Sequence, residues 1–120
     1  MKVNNYRDLI VWQKAIDLCE LIYTTTKGFP KEETYGIISQ MRRCAVSIAS
    51  NIAEGHSRNT KGEYIQFIGI AKGSLSELET QIIISERLGY CRTEDKERLL
   101  PLCSEVGKML VTIQLKLRAN

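Results

Sequence analysis

Apolar residues recur at intervals of three and four along nearly the whole chain, and no stretch alternates apolar with polar residues long enough to argue a strand. That periodicity restricts the chain to packed helices. From Asp8, whose side-chain oxygen suits a helix cap, Leu9, Trp12, Ile16, Cys19 and Tyr23 form one stripe, and Val11, Ala15, Leu18 and Ile22 form a second beside it. The stretch "TTTKGFP" then ends the helix with three weak helix formers, a Gly and a Pro. A second helix is expected after Pro30, with Glu32 and Glu33 at its positive end and Ile37, Met41, Cys44, Ile48 and Ile52 facing the core. Gly55 is expected to close it as a left-handed cap.

A third helix begins after Asn59 or Thr60 and carries Tyr64, Phe67, Ala71, Leu75, Leu78 and Ile82 to a stop at Gly89. Thr93, followed by Glu94 and Asp95, starts a fourth with the stripe Leu99, Cys103, Val106, Leu110, Ile113 and Leu117. Pro101 removes the bond to Glu97 and clashes with its carbonyl, which predicts a kink or a break near Leu99 and Leu100. The helices therefore cover about 8–26, 32–54, 60–88 and 93–117. Joined by short loops, they predict an all-α fold, an antiparallel up-and-down four-helix bundle, as one domain over 1–120.

Two features exceed what a simple bundle needs. Gly69 and Gly73 lie inside the third helix, where each costs about 1 kcal/mol relative to Ala. Ala45, Ala49 and Ala53 repeat every four residues on the second helix, and close packing of the glycines on that ridge is the expected compensation. Ile82, Ile83 and Ile84 sweep about 200° of a helix circumference, too much for one core. Leu9, Ile10, Val11 and Trp12 raise the same difficulty. A second buried surface between subunits resolves both.

Composition narrows the chemistry. The N-terminus mixes charges with apolar residues, so it reads as neither signal peptide nor membrane span, and a cytoplasmic location without membrane association is expected. The four cysteines are scattered, with no C-x-x-C pair, which argues reduced thiols and no zinc site. The net charge of +3 permits nucleic-acid binding without arguing for it. His56 is the sole histidine and has no nucleophile arranged around it. Glu-x-x-His pairs, phosphate-binding glycine loops and H-E-x-x-H are all missing. A non-enzyme is expected, with no metal, no cofactor and no small-molecule substrate.

What remains is a polar line on the second helix, Gln40, Arg43, Ser47, Asn51 and Glu54. It is either a solvated face or a hydrogen-bonded seam between helices. Arg42, Arg43, Arg58, Lys61 and Lys72, with His56 in the turn, are the candidate phosphate-binding groups, several of them close to a helix N-terminus. Glu54 lies near the negative end of its helix and requires a cationic or amide partner, from Arg58, Lys61, another helix or another subunit.

The stretches "YRDLIVWQKAIDL", "FPKEETYGIISQMRRCAVSIASNIAEG" and "EYIQFIGIAKGSLSELETQI" resemble the family of small bacterial four-helix-bundle proteins encoded in intervening sequences of 23S ribosomal RNA genes. Arg42, Arg43, Asn51, Glu54 and Gly55 match that family's second-helix motif, and Gly73, Ser74, Glu77 and Glu79 its third-helix motif. The resemblance implies a ring-shaped homo-oligomer, a pentamer, and assigns most of these residues to fold and assembly. It also implies kinship with accessory proteins of diversity-generating retroelements, similar bundles that bind nucleic acid and a reverse transcriptase through a basic surface. The resulting expectation is a non-enzymatic oligomer that binds RNA or a ribonucleoprotein. The alternative is an assembly or adaptor module that docks a protein partner without nucleic acid.

Overall fold

The computed structural model describes residues 4–119. Four helices account for most of them: α1 (Ile10–Thr26), α2 (Ile37–His56), α3 (Lys61–Arg87) and α4 (Thr93–Ala119). Each helix packs on its neighbours in the chain and α4 closes against α1, while the diagonal pairs α1/α3 and α2/α4 make no backbone approach. This is the expected four-helix bundle. Its long axis of 46 Å accommodates α3 and α4 at full length, since 27 residues of helix span about 40 Å.

The helix ends show which local signals prevailed. Asn5 caps first, accepting from the Arg7 N–H at 2.9 Å, and thereby starts a short 3-10 turn at Tyr6–Asp8. Asp8 is consumed inside that turn, so the expected cap moves to Leu9, which offers no side-chain bond. Glu32 and Glu33 likewise fall in a separate 3-10 turn, Lys31–Glu33, and α2 begins only after Gly36. Thr60 behaves as its T-x-x-E pattern requires: its Oγ1 accepts from the Glu63 N–H at 3.2 Å and bonds to the Glu63 carboxylate at 3.0 Å.

Gly89, at φ +79°, closes α3. Tyr90 N–H donates to the Ser85 carbonyl and Gly89 N–H to that of Glu86, the paired bonds of a Schellman motif. Pro101 does not break α4, which is helical throughout. The ring sits on the exposed face, as does Glu97, so the carbonyl it releases lies on the solvent side.

The core is built from Val11, Ala15, Leu18 and Ile22 of α1, with the Leu9, Trp12, Ile16, Cys19 stripe half-buried beside it. On α2 the buried residue at the start is Ile38, not Ile37. Ile68 replaces Tyr64 and Phe67 as the first fully buried apolar side chain of α3. Of the three successive isoleucines only Ile82 is buried; Ile83 and Ile84 are 40% and 43% exposed. Ile10 and Leu115, each 61% exposed, add to the apolar surface outside the core.

The glycines invert their expected roles. Gly55 is no left-handed cap, because among the described residues only Gly89 has a positive φ. It lies within α2, buried, where an added Cβ would stand 2.8 Å from Phe67 Cβ and 3.1 Å from Tyr64 Cδ1. The close approach of α2 and α3 is thus made here. Gly73, by contrast, is exposed with nothing within 4 Å of an added Cβ, and the nearest atom to Gly69 is Gln114 Nε2 on α4 at 3.6 Å. Neither packs on the alanine ridge.

Candidate nucleic-acid interface

Adjacent arginines on a helix point about 100° apart, so Arg42 and Arg43 meet different surroundings. Arg42 turns towards α1. Its Nε donates to Thr26 Oγ1 at 2.9 Å, a terminal nitrogen reaches the Tyr23 carbonyl at 3.4 Å, and the guanidinium lies 4.6 Å from the centre of the Tyr23 ring. Thr26 in turn donates to the Ile22 carbonyl at 2.7 Å, so the pair satisfies the last turn of α1, where a cation is also favoured. Arg43 is exposed and has no bonded partner among the described residues.

The other expected cations are placed less favourably. Arg58 bonds Glu54 at 2.8 Å and covers the Phe67 ring at 4.7 Å, which supplies the partner that Glu54 requires and neutralises the turn. Lys61 is exposed at the first position of α3. Lys72 faces α4, donating to Gln114 Oε1 at 3.1 Å, while Gln114 Nε2 donates to the Ile65 carbonyl. It lines a groove between α3 and α4, and the five basic residues do not converge on one patch. The His56 ring stands edge-on to Tyr64, with centroids 5.8 Å apart.

The polar line divides between its two readings. Ser47 and Ser74 hydroxyls bond at 2.9 Å across α2 and α3, and Asn51 Nδ2 donates to the Ser47 carbonyl at 2.8 Å and to its hydroxyl at 3.0 Å. That half is a structural seam. Gln40 and Arg43 at the other end are exposed. Below them, Gln81 Nε2 donates to Glu77 at 3.3 Å, and Gln81 Oε1 is buried without a partner among the described residues. Glu79 opens into the α3/α4 groove instead, away from Glu77.

No thiol is prepared as a nucleophile. Burial, with Glu77 adding to it, pushes the Cys44 thiol up to about 11. Burial pushes Cys103 up to about 12. Among the described residues no cluster of His, Cys, Asp or Glu could hold a metal ion. No helix of the described residues is long and apolar enough to cross a membrane.

The feature that sequence reasoning missed is a groove of about 570 Å³ along α2, lined by Tyr23, Tyr35, Ile38, Arg42, Arg43 and Val46 among others. Tyr35 is 96% exposed. Its signal in the sequence is an aromatic in "EETYG" that belongs to no helical stripe. Four further grooves each have a carboxylate as well as a cation in the lining: Glu79 with Lys72 and Lys108, Asp8 with Lys108, Glu77 with Arg43, and Glu54 with Arg58. The Tyr35 groove has two arginines and no carboxylate.

Residues 7–112 match the family model described as 23S rRNA-intervening sequence protein. Among solved structures, a protein of unknown function from the S23 ribosomal protein family of Bacteroides thetaiotaomicron VPI-5482 superposes with a TM-score of 0.79 at 22% identity, over 88% of this chain and 98% of that one. At that identity the likeness speaks for the fold. No curated protein matches the chain.

Proposed function

Because the chain belongs to the 23S rRNA-intervening sequence protein family, we propose that it is a non-enzymatic, oligomeric bundle that binds RNA or a ribonucleoprotein through the basic face of α2. The observation that carries this reading is the Tyr35 groove, where Arg42 and Arg43 stand without an acidic neighbour in the lining. Phosphate binding requires positive groups that are not tied up in ion pairs, and Arg43 makes none among the described residues, although Glu77 shares the neighbouring groove that Arg43 also borders. In an oligomer each groove is repeated about the symmetry axis, so a monomer charge of +3 becomes a larger field. The interface is therefore shifted from the turn after Glu54, where Arg58 is paired, to the start of α2.

Assembly is part of the same proposal. Ile10, Ile83, Ile84 and Leu115 leave apolar area outside the core that subunit contacts in a pentameric ring would cover. Light scattering after size exclusion tests it: a clean monomer at micromolar concentration removes the ring. The same exposed residues support the second reading, an adaptor that docks a protein partner, in which the arginines serve solubility only. Filter binding of structured RNA to the full chain separates the two. Retention at low salt that is lost on neutralising Arg43 supports RNA binding, and no retention at any salt favours the adaptor.

A further inference from the structure

We propose that the nucleic acid taken by this surface is single-stranded, with one unpaired base stacked on the Tyr35 ring and the flanking phosphates held by Arg43. This rests on the RNA-binding reading above and specifies the substrate class of that same site. A tyrosine normally buries most of its ring, whereas this one is 96% exposed beside two arginines. An aromatic face flanked by cations is the arrangement that holds single strands, since every unpaired base offers a face to stack and a paired one does not.

The ring is presented by a braced turn. Phe29, just before the turn, is buried and packs on Tyr90 with ring centres 5.9 Å apart. Tyr90 O–H donates to Glu33 at 3.0 Å, Thr34 N–H and Oγ1 both donate to the Lys31 carbonyl, and Gly36 N–H donates to that of Glu33. A base therefore docks on an ordered turn, which reduces the entropy lost on binding. Arg42 cannot swing away to neutralise the phosphates because it is held by Thr26 and Tyr23. Arg43, exposed and making no bond of its own among the described residues, is the contact left for phosphate, and Arg42 is the fixed one. Charge decides against an apolar protein segment as occupant, because the lining carries two cations and no anion.

The test is fluorescence anisotropy with the full chain, using a labelled oligouridine of about twelve nucleotides and a duplex RNA of equal length. The single strand is expected to bind more tightly. Tyr35→Ala should weaken it by roughly tenfold, the size of one base–aromatic stack, while Tyr35→Trp restores it and duplex affinity stays unchanged. Equal affinity for strand and duplex, or no effect of Tyr35→Ala, overturns the single-strand assignment and leaves RNA binding standing. Binding to neither RNA at low salt overturns both. A fall in oligomer mass for Tyr35→Ala, read by light scattering, assigns the ring to a subunit contact and overturns the proposal. Because Tyr35 is 96% exposed and contributes nothing to the core, circular dichroism should be identical in all variants.

Discussion

Replacing Gly55 with Ala tests how α2 and α3 are held together. In an ordinary helix interior the change stabilises by about 1 kcal/mol, because Ala loses less backbone entropy. At this position the new Cβ would stand 2.8 Å from Phe67 Cβ and 3.3 Å from the Tyr64 carbonyl oxygen, where ordinary contact begins at 3.4 Å. Both atoms are fixed to the α3 backbone, so relief requires the helices to part along their shared seam. Overpacking of this kind costs about 1–3 kcal/mol, and with the helix gain of about 1 kcal/mol subtracted the net loss is about 0–2 kcal/mol. Urea unfolding at matched protein concentration should show a lower midpoint at unchanged slope, and the melting temperature should fall by roughly 4 °C for each kcal/mol lost. Gly73→Ala is the internal control, since nothing lies within 4 Å of its added Cβ. It should stabilise by up to about 1 kcal/mol. If Gly55→Ala also stabilises, the close approach at Gly55 is wrong.

Three further outcomes follow from the side-chain geometry. Arg42→Lys keeps the charge but loses the Nε bond to Thr26 and much of the stack on Tyr23, and should cost about 1–2 kcal/mol in denaturation, whereas Arg43→Lys should leave the midpoint unchanged. Glu54→Gln breaks an exposed ion pair four residues apart and should cost no more than about 0.5 kcal/mol; a double-mutant cycle with Arg58→Gln measures it. Burial pushes the Asp95 carboxyl up, but bonds from Arg92 and Arg98 outweigh that and hold it below the usual value. A lowered folded pKa contributes stability above the unfolded value of about 3.9 and loses it as pH falls through the folded value. The stability gap between the parent and Asp95→Asn should therefore be full at neutral pH and shrink below about pH 4; a gap that widens in acid would contradict the assignment.

Helix number and extent were legible because the signals that set them are local. Thr60 and Glu63 cap α3 within one turn, and Gly89 stops it through its own φ. Where two local signals compete, sequence reasoning chose wrongly: Asn5 nucleates a turn before Asp8 can cap, and Gly36 delays α2 past Glu32 and Glu33. Contacts between helices were legible only in part: the buried stripes and the Ser47 seam were, the individual pairings were not. Gly55 has the sequence signature of a helix stop, but its role is set by Phe67 and Tyr64 across an interface. Arg42 and Arg43 are indistinguishable as letters, and only the position of α1 commits one to Thr26 and frees the other. Tyr35 escaped notice because exposure is a property of the whole surface and leaves no period in the sequence.

The central claim is that binding to RNA is electrostatic and centred on Arg43. Its most direct test is the affinity of the full chain for a single-stranded RNA, measured at several salt concentrations for the parent and for Arg43→Gln. Log K should fall linearly with log salt, and each Arg43 phosphate contact removed should lessen the slope by about 0.7 for a single strand. Affinity independent of salt, or a slope that Arg43→Gln leaves unchanged, would contradict it.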